Sequence, residues 1–233
     1  MKKTLFVILV FSIAVTGLQA QQAGQFTLGS RIGWSIGFNS PQAFEDFLIP
    51  FMTLPSDVSV SAGNAANFIF AVFGYYSITD RFSVQSELNF MFNQGYDLRF
   101  SAPGYRSRLV DVAYTSLDIP ILVRYHLLNS AAIFGIQAGP HISIPLGRIH
   151  VTESWRTQSY EERLSDEFAI DSIASFGLST GIFAGFPVRR GRIVIDLRFI
   201  FDFNSMEAYE WGVSSEFMRR RALAISVGHQ RSF

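Results

Sequence analysis

The side chains in this sequence best suited to proton transfer near neutral pH are four histidines, His126, His141, His150 and His229. An acyl-transfer site would need one of them within hydrogen-bond reach of a hydroxyl and a carboxylate. His150, Glu153 and Ser154 supply the right types in one short stretch, but no spacing rule holds them together. Solvated loop residues explain them far better. The neighbouring carboxylates Glu153, Glu161, Glu162, Asp166, Glu167 and Asp171 suggest calcium chemistry, yet they lack the regular spacing of a calcium loop. Cysteine is absent, which removes thiolate chemistry and disulfides. No glycine-rich phosphate loop or metal-ligand cluster is present, so no cofactor and no metal is expected. The expectation is a protein that is not an enzyme, with no catalytic residue to assign.

A second set of charged residues follows a different rule. Arg31, Glu87, Asp118, Arg124, Asp196, Arg198 and Asp202 each alternate with apolar neighbours. Such period-two patterns mark strands with one apolar and one polar face. The sharpest is 192–204, where Ile193, Ile195, Leu197, Phe199, Phe201 and Phe203 alternate with Val194, Asp196, Arg198, Ile200, Asp202 and Asn204. Similar strands are predicted over 26–38, 67–78, 82–92, 111–127, 131–144, 173–186 and 223–233. The segment 67–78 is apolar on both faces, so its orientation stays open. Pro140 predicts a bulge or local irregularity.

These eight strands are joined by connections that alternate long and short. The long ones are 39–66, 93–109, 145–172 and 205–221, with a short amphipathic helix expected over 43–52. Up-and-down transmembrane barrels have this rhythm, with short turns at one rim and long extracellular loops at the other. The fold class expected is therefore all-β: an eight-stranded antiparallel up-and-down transmembrane β-barrel with four long extracellular loops. Alternation alone does not say which face is inside, and a soluble ligand-carrying barrel would invert it. The small residues and mixed charges of the polar face suit a narrow lumen better than a soluble surface. An eight-stranded barrel is only wide enough for its own side chains. The seven charges are thus expected to pair inside as structural filling, with a proton or ion path as the alternative reading.

Composition agrees. The chain of 233 residues has 24 Phe and only 16% charged residues, unusual for a soluble exported protein. Residues 1–20 read as a secretory signal peptide cleaved after Ala20, with Lys2 and Lys3 ahead of an apolar run; an uncleaved anchor is the alternative. This leaves 21–233 as one barrel domain carrying arginine but no lysine, with a net charge of about −2. No basic surplus points to nucleic acid. Trp34 fits an interfacial belt, while Trp155, Tyr160, Tyr209 and Trp211 lie in outer loops and could cap the mouth or bind a partner or glycan.

The final strand places Leu223, Ile225, Val227 and Phe233 on its apolar face. It looks like the signal by which barrel assembly machinery recognises outer-membrane strands. His229 and Arg231 share that face and are tolerable only near an interface.

Three stretches, Ser83 to Phe90, Leu117 to Tyr125 and Gly135 to Pro140, resemble the PorT family of outer-membrane β-barrel proteins. Phe90, Asp118 and Arg124 stand where that family usually has Tyr, Glu and Lys. The resemblance implies fold and location in the outer membrane, and no activity. The expected role is structural or surface-interacting, with lipid and the assembly machinery as partners and a monomeric state. A narrow channel, a rim enzyme and a soluble carrier are the alternatives.

Overall fold

A computed structural model describes residues 23–37, 59–64, 66–101, 107–156, 161–169, 174–204, 206–210, 213–218 and 220–233. The expected signal peptide (1–20), the expected helix (43–52), Tyr160, Asp171 and Trp211 lie outside the described residues. The strands are β1 (Phe26–Gly37), β2 (Ser59–Asn64), β3 (Ala66–Ser77), β4 (Phe82–Ser101), β5 (Ser107–Asn129) and β6 (Ile133–Arg156). They continue as β7 (Glu161–Ala169), β8 (Ser175–Val188), β9 (Gly191–Asp202), β10 (Met206–Glu210), β11 (Val213–Met218) and β12 (Arg221–Ser232).

Eight of these close into a ring in the order β1-β3-β4-β5-β6-β8-β9-β12, and β12 pairs back onto β1. All the pairings are antiparallel. Closure removes both sheet edges, which an open sheet of this hydrophobicity could not leave exposed. The apolar stripes point outward: Trp34, Leu127 and Phe203 are each 58% exposed. This orientation is opposite to that of a soluble ligand carrier. Outward aromatics form rows across neighbouring strands. Trp34 meets Phe68 and Phe68 meets Phe92, with centroids 6.2 and 6.1 Å apart, and Phe82 lies 4.9 Å from Tyr125 at the short-turn rim.

Strand β3, whose orientation its sequence left open, turns Asn67, Ile69, Ala71, Phe73, Tyr75 and Ser77 inward. The reason is the register with β1. Gly29 lies under the Phe73 ring, where a Cβ would come within 2.3 Å of it. Gly135 and Phe183 repeat the device on β6 and β8, with a Cβ 2.6 Å from the ring and 2.2 Å from the Tyr125 carbonyl. Glycine backbone covered by a neighbour's ring lets a large aromatic fit a narrow lumen.

One expectation needs correction. Segments 39–66, 93–109, 145–172 and 205–221 are not simply loops, since each contributes strand residues. β4, β5 and β6 run 20, 23 and 24 residues, about twice the 9–11 that cross a bilayer. Their outer halves, flanked by β2 on β4 and β7 on β6, form a sheet above the barrel, and β10 and β11 pair as a hairpin. Polar residues on both faces hid these strands, but ladder pairing satisfies the backbone whatever the side chains. The ladder shifts register at Met91/Gln94, beside Asn93 at φ 58°, and at Ala113/Thr115 opposite Gly147 at φ 82°. Those positions mark where the barrel wall gives way to the outer sheet. At Pro140 the expected local irregularity takes the form of a gap in one ladder and not a bulge: Pro140 pairs with Leu178 in an unbroken register, while Ile121 and Leu122 of β5 find no partner on β6 opposite Gly139 and Pro140. A missing N–H removes one bond without shifting the strand.

Gly135→Val should destabilise the barrel by about 1–3 kcal/mol, because the new side chain meets backbone on one side and Phe183 on the other. Urea unfolding in micelles, followed by the heat-dependent shift in gel mobility, measures it.

Candidate functional site: the ion-paired lumen

The inward positions of the eight barrel strands converge in the lumen, where charges are stripped of water. A buried charge is tolerated only with partners in good geometry. The structure divides the seven charges named from sequence into two layers and one separate cation.

The layer nearer the short turns joins Arg31 of β1, Glu87 of β4, and Asp196 and Arg198 of β9. Arg198 grips Glu87 with both terminal nitrogens, at 2.7 and 3.0 Å, and donates to Asp196 at 3.0 Å. Arg31 donates to oxygens of the same two acids, to Glu87 Oε2 at 2.5 Å and Asp196 Oδ2 at 3.3 Å, both shared with Arg198. Gln137 donates to Asp196 at 2.5 Å, Gln85 donates to Glu87, and Asn89 accepts from Arg31 at 3.2 Å. Charge is balanced, two against two, and the bidentate fork gives the contact direction as well as energy.

Arg124 was expected to join the ion pairs, but its described partners are different. Its guanidinium lies between the rings of Phe183 and Tyr75, 3.7 and 4.8 Å from their centroids, and donates to Gln85 at 2.6 Å. Gln85 in turn reaches Glu87, so Arg124 feels the carboxylates through an amide relay. A planar cation can stack on aromatic faces in this way when no acid is opposite.

The layer nearer the long strands joins Asp118 of β5, His141 of β6 and Asp202 of β9. His141 lies 2.7 Å from Asp202 and 3.1 Å from Ser179. Asp118 accepts from Ser116 at 2.8 Å and from Ser143 at 2.5 Å. The cation here is Arg220, 2.8 Å from Asp118 and 3.2 Å from Asp202. Sequence reading missed Arg220 because it sits in the run Arg219-Arg220-Arg221, which reads as a solvated outer charge cluster. Parity was the available signal: 220 continues the inward series Ala222, Ala224 and Ser226.

Between the layers lies an apolar belt of Ile69, Met91, Ile200, Ala222 and Ala224. On β9 it falls between Arg198 and Asp202, and on β4 between Asn89 and Gln94. All these lumen groups are buried.

The other candidates are not assembled into a site. His150 faces Glu167 at 3.4 Å with both side chains exposed. Four residues of extended strand separate it from Ser154 by about 13 Å, and the side chains of Glu153, Trp155 and Tyr209 are outside the described set. His126 is bonded to Ser83 at 2.9 Å near the short-turn rim. Among the described residues, no three His, Asp or Glu side chains are grouped to hold a metal. On β12, Ile225, Val227 and Phe233 point outward, Phe233 being 69% exposed, and the Phe233 amide donates to the Phe26 carbonyl at 2.8 Å. Arg231 lies over the Phe233 ring at 5.5 Å.

Replacing Glu87 by Ala leaves two buried guanidinium groups, Arg31 and Arg198, with Asp196 as the one carboxylate between them. A loss of about 3–5 kcal/mol is expected from breaking such a buried set. Glu167→Ala on the exposed pair should change stability by less than about 0.5 kcal/mol. Parallel urea titrations in micelles compare them, and equal effects would contradict the layered-lumen account.

The family model described as outer membrane protein beta-barrel domain matches residues 19–207. Among solved structures, OprG from Pseudomonas aeruginosa is similar at 11% identity, covering 92% of this chain and 99% of that one, with a TM-score of 0.50. Neisserial surface protein A gives 12%, 89%, 97% and 0.43, and Ail of Yersinia pestis 11%, 91%, 100% and 0.42, in the same order. No curated protein sequence matches the chain.

Proposed function

The chain belongs to the outer membrane protein β-barrel domain family and is an outer-membrane barrel, and from that premise we propose a closed, non-enzymatic barrel that presents its outer sheet at the cell surface. The observation that carries this reading is the filled lumen. Two ion-paired layers enclose an apolar belt, and every member is buried. An apolar constriction of this kind resists wetting, and an ion pair that is already satisfied has little to offer a permeating ion. The surface role rests on the outer sheet of β2, β4, β5, β6 and β7, which extends well past the length a membrane crossing requires.

Within the family, the stretches Ser83 to Phe90, Leu117 to Tyr125 and Gly135 to Pro140 support placement in the PorT group. On this reading the seven charges named from sequence, together with Arg220, serve structure rather than transport. The protein is monomeric, its first 20 residues direct export, and the outward face of β12, with Ile225, Val227 and Phe233, is what the assembly machinery reads.

Planar-bilayer recordings of the purified barrel should stay at background. Discrete currents well above it would instead favour the narrow-channel reading. Deleting Phe233 should lower the amount of folded barrel in outer-membrane fractions several-fold; unchanged levels would remove the assembly role.

A further inference from the structure

We propose that the outer layer of the lumen is a guanidinium-binding site, occupied in this conformation by the chain's own Arg220. The frame is built without help from Arg220. Oδ1 of Asp118 accepts from Ser116 and Ser143, which leaves Oδ2 to meet the cation. Asp202 is oriented by His141 at 2.7 Å and by Ser175 at 3.2 Å, and His141 is itself held by Ser179. Gly177 makes room for the imidazole, since a Cβ there would come within 2.4 Å of it. Strands β5, β6, β8 and β9 thus aim two carboxylates at one point.

Arg220 fills that point without using all of it. Its terminal nitrogens reach Asp118, Asp202 and Gln94, but they also lie 3.3 Å from the Met91 sulfur and 3.3 Å from His141. Sulfur is a weak acceptor. Its Nε is buried without a partner. The Tyr114 hydroxyl, on a side chain only 2% exposed, is also unpartnered and lies among the charges of Arg220, Asp118 and Asp202. One cation serves two carboxylates, and unused polar capacity remains beside it.

Arg220 also differs from the rest of the cluster in where it comes from. The carboxylates and His141 are strand residues, whereas Arg220 lies between the β10–β11 hairpin and the start of β12. Its carbonyl accepts from the Asp202 N–H at 2.9 Å, so the backbone at 220 continues the β12–β9 ladder while the side chain turns to the two carboxylates. A planar, bidentate donor fits two carboxylates in a way that an ammonium or a metal ion does not. A free guanidinium ion is therefore the ligand this frame accepts once the Arg220 side chain is removed.

Arg220→Ala in micelles tests this by chemical rescue. The variant should melt below the parent protein, and millimolar guanidinium chloride should restore most of the loss by occupying the vacated site. Sodium chloride and urea at matched concentrations should not. Adding Asp118→Asn should weaken the rescue at least tenfold. If the single variant fails to refold, the same titration is read as refolding yield. Absence of rescue in either readout, or equal rescue by sodium chloride or urea, would overturn the proposal.

Discussion

Glu87 receiving two arginines is the contact on which the rest of this barrel depends. Arg31 reaches it from β1 and Arg198 from β9, although neither strand is next to β4 in the ring. Backbone ladders hold neighbours together and say nothing about opposite walls. The ties that cross the lumen are side-chain ties, and in so narrow a cylinder they must be dry. A dry charge must be matched. Sequence choice in the interior is therefore constrained strand against strand: a carboxylate on β4 requires cations on β1 and β9 at the matching height.

The same constraint explains the small residues around those charges. Arg31 lies against Gly228, Phe73 over Gly29, Phe183 over Gly135 and His141 over Gly177. Each of these four inward side chains has a glycine on a neighbouring strand to receive it. Exchanging one member without its partner would leave either a void or a clash, both of which a close-packed interior resists. The result is a layered interior, polar, apolar and polar, in which Arg124 is held by aromatic faces instead of an acid.

Above the barrel wall, the long strands keep their ladders but lose the strict apolar alternation. There the sheet has no lipid to satisfy on its outer face, so composition is free to vary. That freedom is why its strands are hard to read from residue types.

The eight strands of the barrel, the order of long and short connections between them and the outward apolar face were all legible in the sequence. Period-two alternation is a local property, and lipid outside with a narrow lumen inside leaves few ways to satisfy it. The inward charges were legible for the same reason. Their partners were not, because pairing across the lumen depends on strand tilt and register, which no single strand encodes. Arg124 was thus expected in an ion pair and is found between two rings, and Arg220, which falls inside the expected connection 205–221, closes the outer layer. The orientation of β3, apolar on both sides, was likewise settled only by where Gly29 left space for Phe73. Local alternation determined which residues enter the lumen; the closed ring decided whom they meet there.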